Sequence, residues 1–329
     1  MKLVDGFQRR INYLRLSVTD RCNLRCRYCM PADGVPPIGH DQVLRYEELE
    51  RIARCAVGLG IEKIRITGGE PLVRREIVPF LQRLNAIPGL QELVLTTNGS
   101  LLPQMAEQLR DAGVRRLNVS LDSLWPERFT QITRCGELTK VLAGIEAAER
   151  VGLPVKLNMV VIRGFNDDEI EDFAALTRRR ALAVRFIEYM PAVVDEGWQQ
   201  RVIPGREILK RLEHRFDLEE LDRSGLAGPS RDFRIAGAEG SVGVITPVFD
   251  HFCARCNRIR VTSEGKVRSC LFDGEEVDLK PALRGLHEDA LEELLWKIVA
   301  NKPQCHQMSG AEHGVRQQAG TPTMSAVGG

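Results

Sequence analysis

The sequence has no long apolar run, no secretion-signal pattern and no marked excess of charge of either sign. Within its 329 residues no hydrophobic segment reaches the length that spans a bilayer. Its 46 basic and 45 acidic residues leave a formal net charge of +1, which disfavours bulk nucleic-acid binding and makes any basic site a local one. We therefore expect a cytoplasmic protein with neither a membrane nor nucleic acid among its partners.

Cysteine, in contrast, is abundant. The nine cysteines, without a secretion pattern, favour metal ligands over disulfides. Cys22, Cys26 and Cys29 form a C-x3-C-x2-C motif just after a short apolar strand. Thiolates hold iron–sulfur clusters, and three of them leave one iron of a four-iron cluster open for chemistry. The alternatives are a zinc site completed by a distant residue and three unrelated buried cysteines. Cys55 is expected in the core, and Cys135 receives no role.

A second cysteine set lies in the C-terminal third. Cys253, Cys256 and Cys270 have the spacing C-x2-C-x13-C and flank a predicted strand and turn. This set predicts a second four-iron cluster, whose open iron would act as a Lewis acid toward an electron-rich substrate atom. The alternative is a zinc ribbon to which His251 or Cys305 supplies a fourth ligand.

Short strands alternate with amphipathic helices along the first part of the chain. The predicted strands are residues 13–18, 63–67, 92–97, 116–121, 155–162 and 183–188. The helical patterns lie near residues 46–59, 77–84, 103–112, 138–151 and 168–179. This alternation predicts an α/β fold with a parallel sheet and right-handed crossovers.

Several of these strands have one polar face. The polar residues at alternate positions are Arg15, Ser17, Arg65, Thr67, Asn118, Ser120, Lys156 and Asn158. A parallel sheet covered on both faces is normally apolar on both. The polar face therefore predicts a partial barrel whose interior holds a charged ligand. An ordinary α/β barrel with a few solvated strand ends is the alternative.

The pattern changes near residue 192. We predict two units, a partial barrel over residues 1–191 and a C-terminal segment over residues 192–329 that carries the second cysteine set. The elements predicted in this segment are a helix near residues 206–214, a strand over 258–262 and a helix over 289–299.

Two further motifs indicate ligand binding. Gly68-Gly69-Glu70-Pro71 follows the second strand, where glycines allow close approach to a ligand; a simple strand-to-helix turn is the alternative. Arg258 and Arg260 share one strand face beside the second cysteine set and fit phosphate oxygens; a solvated edge strand is the alternative. Together with the three cations of the predicted barrel interior, these two arginines suit a triphosphate.

These motifs together resemble the GTP 3′,8-cyclase (molybdenum cofactor biosynthesis protein A) family of the radical S-adenosylmethionine (SAM) superfamily. The resemblance covers nearly the whole chain and rests on Asp5-x-Phe7 with Arg9, on residues 13–26, 67–71, 96–99, 118–122, 185–191 and 258–260, on the second cysteine set, and on terminal Gly328-Gly329. The cysteine motif alone would give only the superfamily. The departures are Gln8 and Arg134-Cys135-Gly136.

The resemblance implies an incomplete (β/α)6 TIM-type barrel closed by the C-terminal segment. It implies two [4Fe-4S] clusters, the first on Cys22, Cys26 and Cys29 and the second on Cys253, Cys256 and Cys270. It implies SAM contacts from Tyr28, Gly69, Ser120 and Met190. It implies GTP contacts from Arg15, Arg65, Thr96, Lys156, Arg258, Ile259 and Arg260. Catalytic roles are implied for Cys22, Cys26, Cys29, Arg258 and Arg260, and for the terminal Gly328 and Gly329. A flexible, frayed terminus is the alternative for these two glycines.

The implied activity is that of a radical SAM lyase in molybdenum cofactor biosynthesis. A 5′-deoxyadenosyl radical would remove H3′ of GTP, and C3′ would attack guanine C8 to give (8S)-3′,8-cyclo-7,8-dihydroguanosine 5′-triphosphate. The implied partners are GTP, SAM, an external electron donor and a downstream pterin-forming enzyme, with a homodimer as one candidate assembly. The alternatives are a radical SAM peptide-modifying enzyme with an auxiliary cluster and a non-enzymatic electron carrier or zinc-binding protein.

Overall fold

The computed structural model describes residues 2–36, 38–190, 197–222, 225–272, 275–285 and 290–306. The strands in these ranges are β1 (Tyr13–Ser17), β2 (Lys63–Thr67), β3 (Glu92–Thr97), β4 (Arg116–Ser120), β5 (Val155–Val161), β6 (Ala183–Glu188), β7 (Leu218–Glu220), β8 (Arg231–Ile235), β9 (Ser241–Ile245), β10 (Arg258–Val261), β11 (Lys266–Arg268) and β12 (Val277–Asp278). The α-helices are α1 (Tyr46–Gly58), α2 (Ile77–Asn85), α3 (Leu102–Asp111), α4 (Pro126–Thr133), α5 (Leu138–Arg150), α6 (Ile170–Ala175), α7 (Trp198–Arg201), α8 (Gly205–Arg215), α9 (Lys280–Arg284) and α10 (Ala290–Ala300). None of these helices has both the length and the apolar content that a bilayer-spanning segment requires.

Six parallel strands in chain order form the centre of one sheet. The hydrogen-bonded order is β12-β11-β10-β1-β2-β3-β4-β5-β6-β9-β8-β7. Each of β1 to β5 pairs in parallel with the strand that follows it, and helices occupy the connections between them. The predicted α/β class with a parallel six-stranded core is confirmed.

The C-terminal segment extends this core at both edges. β10 pairs in parallel with β1, and β9 pairs in parallel with β6, while β11, β12, β8 and β7 continue the two edges in antiparallel fashion. In the part of the chain that the structure describes, no pairing joins β7 to β12. Closure of a barrel by this segment and the division into two units near residue 192 stay predictions.

Alternation along the strands separates an apolar face from a polar one. Leu14 and Leu16 on β1 are fully buried and lie in register with Ile64 and Ile66 on β2. These four side chains belong to the main hydrophobic core, which also contains the buried stripes of the helices. The intervening residues project to the opposite face, since successive strand residues alternate in direction.

Local sequence sets the bounds of helix α1. Glu48 in its first turn accepts a hydrogen bond from the backbone N–H of Arg45, the residue before the helix, at 2.7 Å. Leu49, Ile52 and Ala56 recur at intervals of three and four residues and are fully buried against the sheet. The amphipathic pattern that predicted this helix is therefore the stripe that packs into the core.

Within the parallel core, two helical segments differ from the expectation. Helix α4, which begins with Pro126 in its first turn, was not predicted. The helix predicted over residues 168–179 is divided into α6 and two flanking 3₁₀ turns, Asp167–Glu169 and Leu176–Arg178. The buried carboxylate of Glu169 accepts hydrogen bonds from the segment just before α4, so a tertiary contact overrides the local helical pattern.

Candidate active site

The polar face of the sheet carries a row of arginine side chains. Arg15 on β1 lies in register with Arg260 on β10 and with Arg65 on β2, and residues paired in this way project to the same face. Arg260 is 5% exposed, Arg15 7% and Arg65 8%. Three neighbouring strands therefore hold three guanidinium groups side by side, out of bulk water.

A second row lies nearer the amino ends of the same strands. Tyr13 is in register with Arg258 and with Lys63. The Lys63 Nζ lies 5.1 Å from the centre of the Tyr13 ring and 2.8 Å from the carboxylate of Glu92. It also donates a hydrogen bond to the carbonyl oxygen of Leu226 at 2.9 Å, so a loop of the C-terminal segment contacts this end of the polar face.

Burial and mutual repulsion lower the pKa values of these cations. Burial, followed by the charges of Arg260 and Arg65, holds the pKa of Arg15 well below its usual range. Burial is also the main cause that lowers the pKa of both Arg65 and Arg260 to about 10. Burial, followed by the charge of Arg185, lowers the pKa of Lys156 to about 7. The cluster is unfavourable by itself and suits a ligand with several negative charges.

Buried polar atoms on this face lack hydrogen-bond partners among the described residues. They are Nε of Arg65, Nε of Arg260, Oγ1 of Thr67, Oγ1 of Thr96 and Oδ1 of Asn118. Nearby acidic groups are already engaged, since Asp232 pairs with Arg185 at 3.1 Å. Because buried polar atoms normally have partners, these atoms indicate that the face receives a polar ligand.

The loop after β1 brings Cys22, Cys26 and Cys29 together. Burial raises the pKa of the Cys26 thiol well above its usual range, and Asp122, Cys29 and Cys22 raise it further. Burial also raises the pKa of Cys22 to about 11. The N–H of Cys29 donates to the carbonyl oxygen of Cys26 at 3.0 Å, so these two cysteines share one turn, and the three thiols suit an iron–sulfur cluster as donor set. Among the described residues, no three His, Cys, Asp or Glu side chains are arranged to hold a single metal ion.

The end of helix α4 holds this cysteine loop. The backbone N–H groups of Arg25 and Arg27 donate to the last turn of α4 at 3.0 and 2.9 Å. Arg134 follows the helix with φ of +65° and donates to the carbonyl oxygens of Arg25 and Met30 at 2.7 and 3.0 Å. Arg134 was treated as a loop departure in the sequence, whereas its side chain links two ends of the cysteine loop.

The glycine motif after β2 packs against the same loop. Gly69 donates its N–H to the carbonyl oxygen of Thr19, and Glu70 donates to that of Arg21, both at 2.8 Å. A Cβ atom on Gly68 would lie 2.6 Å from the Thr19 carbonyl oxygen, and one on Gly69 would lie 2.6 Å from the Arg21 carbonyl carbon. The two glycines thus allow the backbone before Cys22, and not only a ligand, to approach closely.

Glu70 of this motif acts within the protein. Its carboxylate accepts hydrogen bonds from the N–H of Leu72 at 3.0 Å, the hydroxyl of Thr97 at 2.8 Å and the N–H of Asn98 at 2.6 Å. Burial raises its pKa to about 7. Glu70 therefore ties the carboxyl end of β2 to that of β3, at the edge where the cysteine loop lies.

The predicted SAM contacts fall at carboxyl ends of strands. Tyr28 donates its hydroxyl to Asp122 at 2.8 Å, and burial raises the pKa of Asp122 to about 6. Tyr28 and Met190 pack against one small apolar cluster, and half-buried Ser120 ends β4. Gly69 lies by the cysteine loop, where its N–H donates to the carbonyl oxygen of Thr19.

The second cysteine set converges beside the arginine row. Burial raises the pKa of Cys253, and the neighbouring Cys270 and Cys256 raise it further. Burial acts to raise the pKa of Cys256 too, but the charges of Arg258 and Lys302 outweigh it and lower that pKa to about 6. This donor set also fits an iron–sulfur cluster, because its thiols converge and one is stabilised as a thiolate.

Lys302 and Arg9 assemble the second set from distant parts of the chain. The buried Lys302 Nζ donates to the carbonyl oxygen of Arg258 at 3.0 Å and to that of Ser269, the residue before Cys270. Arg9 donates to the carbonyl oxygen of Cys253 at 2.7 Å, and its guanidinium also bonds the backbone of residues 303 and 304. Sequence motifs did not assign either role.

The comparisons with known proteins agree on one family. A model described as the radical SAM superfamily matches residues 16–177, and one described as Molybdenum Cofactor Synthesis C matches residues 182–308. GTP 3′,8-cyclase of Geobacter sulfurreducens is 60% identical over 316 residues, which cover 95% of this chain and 97% of that protein. The chain belongs to the GTP 3′,8-cyclase family. The cyclase of Moorella thermoacetica is 50% identical over 327 residues, which cover 99% of both chains.

A solved structure agrees on the fold of this family. Streptococcus suis SuiB, in its crystal structure bound to S-adenosylmethionine, has a TM-score of 0.60 and 16% identity to this chain. The likeness covers 86% of this chain and 66% of the longer SuiB chain. At that identity it shows a radical SAM fold alone. The peptide-modifying and non-enzymatic alternatives are not favoured, since the relatives of high identity are named as cyclases.

Some predicted residues fall outside this arrangement. Ile259 is fully buried in the main core, on the strand face opposite Arg258 and Arg260, so only its backbone remains available to a ligand. Gly328 and Gly329 lie outside the described residues. Cys305 is exposed and close enough to raise the pKa of Cys253 slightly further, after burial and the other two cysteines.

Proposed function

We propose that this protein is a radical SAM GTP 3′,8-cyclase that converts GTP to (8S)-3′,8-cyclo-7,8-dihydroguanosine 5′-triphosphate in molybdenum cofactor biosynthesis. The observation that carries the proposal is the buried row Arg260, Arg15 and Arg65 beside the second cysteine set. A buried surface that brings three guanidinium groups side by side suits a nucleoside triphosphate better than a peptide.

Two [4Fe-4S] clusters and SAM are the cofactors in this proposal. Cys22, Cys26 and Cys29 hold the first cluster; Cys253, Cys256 and Cys270 hold the second. The chemistry that the first cluster and SAM supply when bound is reductive cleavage to a 5′-deoxyadenosyl radical. Tyr28, Gly69, Ser120 and Met190 contact SAM at the carboxyl ends of the strands, and Gly328 and Gly329 have the catalytic role that the family resemblance implies.

The protein's own residues bind and orient GTP. Guanidinium forks of Arg15, Arg65 and Arg260 would bond the phosphates with Lys156, and Arg258, whose charge acts on Cys256, would hold the guanine end near the second cysteine set. Thr96, with its unpaired hydroxyl, and the backbone of Ile259 supply further contacts. The rigid strands keep C3′ within reach of the adenosyl carbon, and burial excludes water from the radical.

The same proposal assigns partners and location. An external donor supplies electrons, and a downstream pterin-forming enzyme takes the product; a homodimer is the proposed assembly. The cytoplasm, which keeps thiols reduced, is the proposed compartment.

The direct test is anaerobic turnover of the cluster-loaded protein with SAM, dithionite and GTP. We expect 5′-deoxyadenosine and the cyclic triphosphate in about equal amounts, because one radical is used per product. ATP, which has the same triphosphate but another base, serves as the control and should give no cyclic product. SAM cleavage that leaves GTP unconsumed would remove GTP as the substrate.

Lys156 should make GTP binding take up a proton at pH 8. With a pKa of about 7 it is mostly neutral before GTP binds, and nearby phosphates raise its pKa and protonate it. Titration calorimetry in two buffers of different protonation enthalpy should report an uptake of roughly 0.5–1 proton. Lys156→Met should abolish the uptake, and Lys210→Met on the exposed face of α8 should retain it. Identical heats in both buffers for the unmodified protein would contradict this role.

Lys302→Met should impair the second cluster and spare the first. The substitution removes two hydrogen bonds to backbone carbonyls and a charge that stabilises the Cys256 thiolate. Iron analysis after reconstitution should fall from about eight to about four irons per chain. Lys297→Met, on the exposed side of α10, is the matched control and should keep both clusters. A full iron content in Lys302→Met would refute the assignment.

A further inference from the structure

A groove outside the arginine-lined face adjoins the first cysteine loop. Its volume is about 650 Å³, and it is lined by the segment 19–21, by residues of the segment 38–46 and by residues 73–76. Segment 19–21 leads directly into Cys22. Hydrogen bonds from Gly69 and Glu70 hold the same segment. The groove and the candidate first cluster therefore share one short, fixed stretch of backbone.

The rim of this groove is positively charged. Arg21, Arg45 and Arg75 line it and are exposed, as is His40. The carboxylate of Asp20 is buried and accepts a hydrogen bond from the backbone N–H of Ile38, so it does not face the groove as a free charge. Two carboxylates offset part of this charge: Glu76 is exposed on the rim, and the Glu48 carboxylate lies 3.7 Å from Nε of Arg45. Positive charge remains in excess around the opening.

The floor of the groove is apolar and rigid. Val43, Val73 and Tyr46 contribute apolar surface. Arg74 fixes the wall, because its guanidinium lies 4.0 Å from the centre of the Tyr46 ring and donates to the carbonyl oxygens of Val18 and Leu44. An apolar centre with a charged rim is the usual composition of a protein–protein interface.

We propose that this groove docks the external electron donor, a small one-electron carrier protein with an acidic surface. The proposal rests on the proposed function, which requires an outside source of electrons. One electron leaves the reduced carrier, which is oxidised by one electron, and enters the cluster held by Cys22, Cys26 and Cys29; no bond or proton moves in this step. Since the chain has a net charge of only +1, steering of an acidic partner depends on this local patch.

The test measures cluster reduction in the cluster-loaded protein by stopped-flow absorbance, with reduced bacterial flavodoxin as the probe. The double variant Arg45→Gln/Arg75→Glu should reduce the second-order rate by about 10-fold at low salt. Added salt should slow the unmodified protein more than the variant. Arg179→Glu, at another exposed arginine, which precedes the amino end of β6, is the control for a charge reversal away from the groove and should react at the unmodified rate.

Dithionite separates this proposal from the proposed function. Dithionite is small and needs no docking surface, so dithionite-driven SAM cleavage with GTP should be unchanged in the double variant. Equal flavodoxin rates in the double variant and the unmodified protein, or an equal loss in Arg179→Glu, would overturn the docking proposal. If the unmodified protein shows no turnover of SAM and GTP with dithionite, the proposed function itself is contradicted.

Discussion

Gly69→Ala is expected to lower the rate of reductive SAM cleavage by about 100-fold or more. A Cβ atom at position 69 would lie 2.6 Å from the carbonyl carbon of Arg21 and 2.7 Å from the carbonyl oxygen of Asp20, and these are main-chain atoms, which cannot move without the rest of their segment. The segment would move, and Cys22 follows it directly. Misplacement by about 1 Å at a reacting centre costs about 100-fold in rate. Chromatographic assay of 5′-deoxyadenosine with dithionite as reductant measures the effect.

Gly58→Ala is the matched control for this substitution. Gly58 ends helix α1, it is exposed, and a Cβ atom there would meet nothing within 4 Å. We expect it to leave SAM cleavage unchanged and to stabilise the helix slightly, since alanine is favoured over glycine in helices. If Gly69→Ala retains full cleavage activity and both clusters, the packing of the glycine motif against the cysteine loop does not position the first cluster.

Arg260→Met should weaken GTP binding and stabilise the protein without GTP. Loss of one charge-assisted contact to phosphate should raise the Kd for GTP roughly 10- to 100-fold. Without GTP, the substitution relieves burial of a charge that Arg258 also repels, the two causes that lower the pKa of Arg260. The free energy of unfolding should rise by about 1 kcal/mol, as for other sites where function opposes stability.

Calorimetric GTP titration and thermal unfolding, on the same preparation, test the expected loss of GTP affinity and the expected gain in stability. Both need variant protein with the iron content of the unmodified protein, because Arg260 also lowers the pKa of Cys256. Arg206→Met, at an exposed position of α8, removes the same charge and should change neither quantity. Unchanged GTP affinity in Arg260→Met would exclude this guanidinium from the phosphate site. Lower stability would contradict the inference that the buried cations destabilise the protein without GTP.

Local pattern predicted the parallel core well. The bounds of β2, β3 and β6 agree with the alternation of apolar and polar residues, because that alternation is what divides the core from the polar face. Arg116 and Arg185 follow the same alternation, but the predicted set of polar-face residues did not include them. The position of Arg15 beside Arg260 depends on the pairing of β1 with β10, which joins residues 245 positions apart and leaves no local signal in the sequence.

The residues to which the sequence assigned no role bond mainly to backbone carbonyl oxygens. Arg9, Lys302 and Arg134 bond main-chain oxygens of segments distant in sequence, and any residue type can supply such an oxygen. No motif therefore marks their partners. The glycine motif was recognised, but its packing against residues 19–21 depends on how two loops meet at the sheet edge. Sequence patterns therefore do not predict the side chains that hold a distant loop in place.

The central claim is that an adenosyl radical made in this protein removes the hydrogen at C3′ of GTP. The most direct measurement is anaerobic reaction of the cluster-loaded protein with SAM, dithionite and GTP that carries deuterium at C3′, followed by mass spectrometry of 5′-deoxyadenosine. We expect one deuterium in the 5′-deoxyadenosine formed. Cleavage of SAM with no deuterium transferred would contradict it, because the radical would then act elsewhere than at C3′.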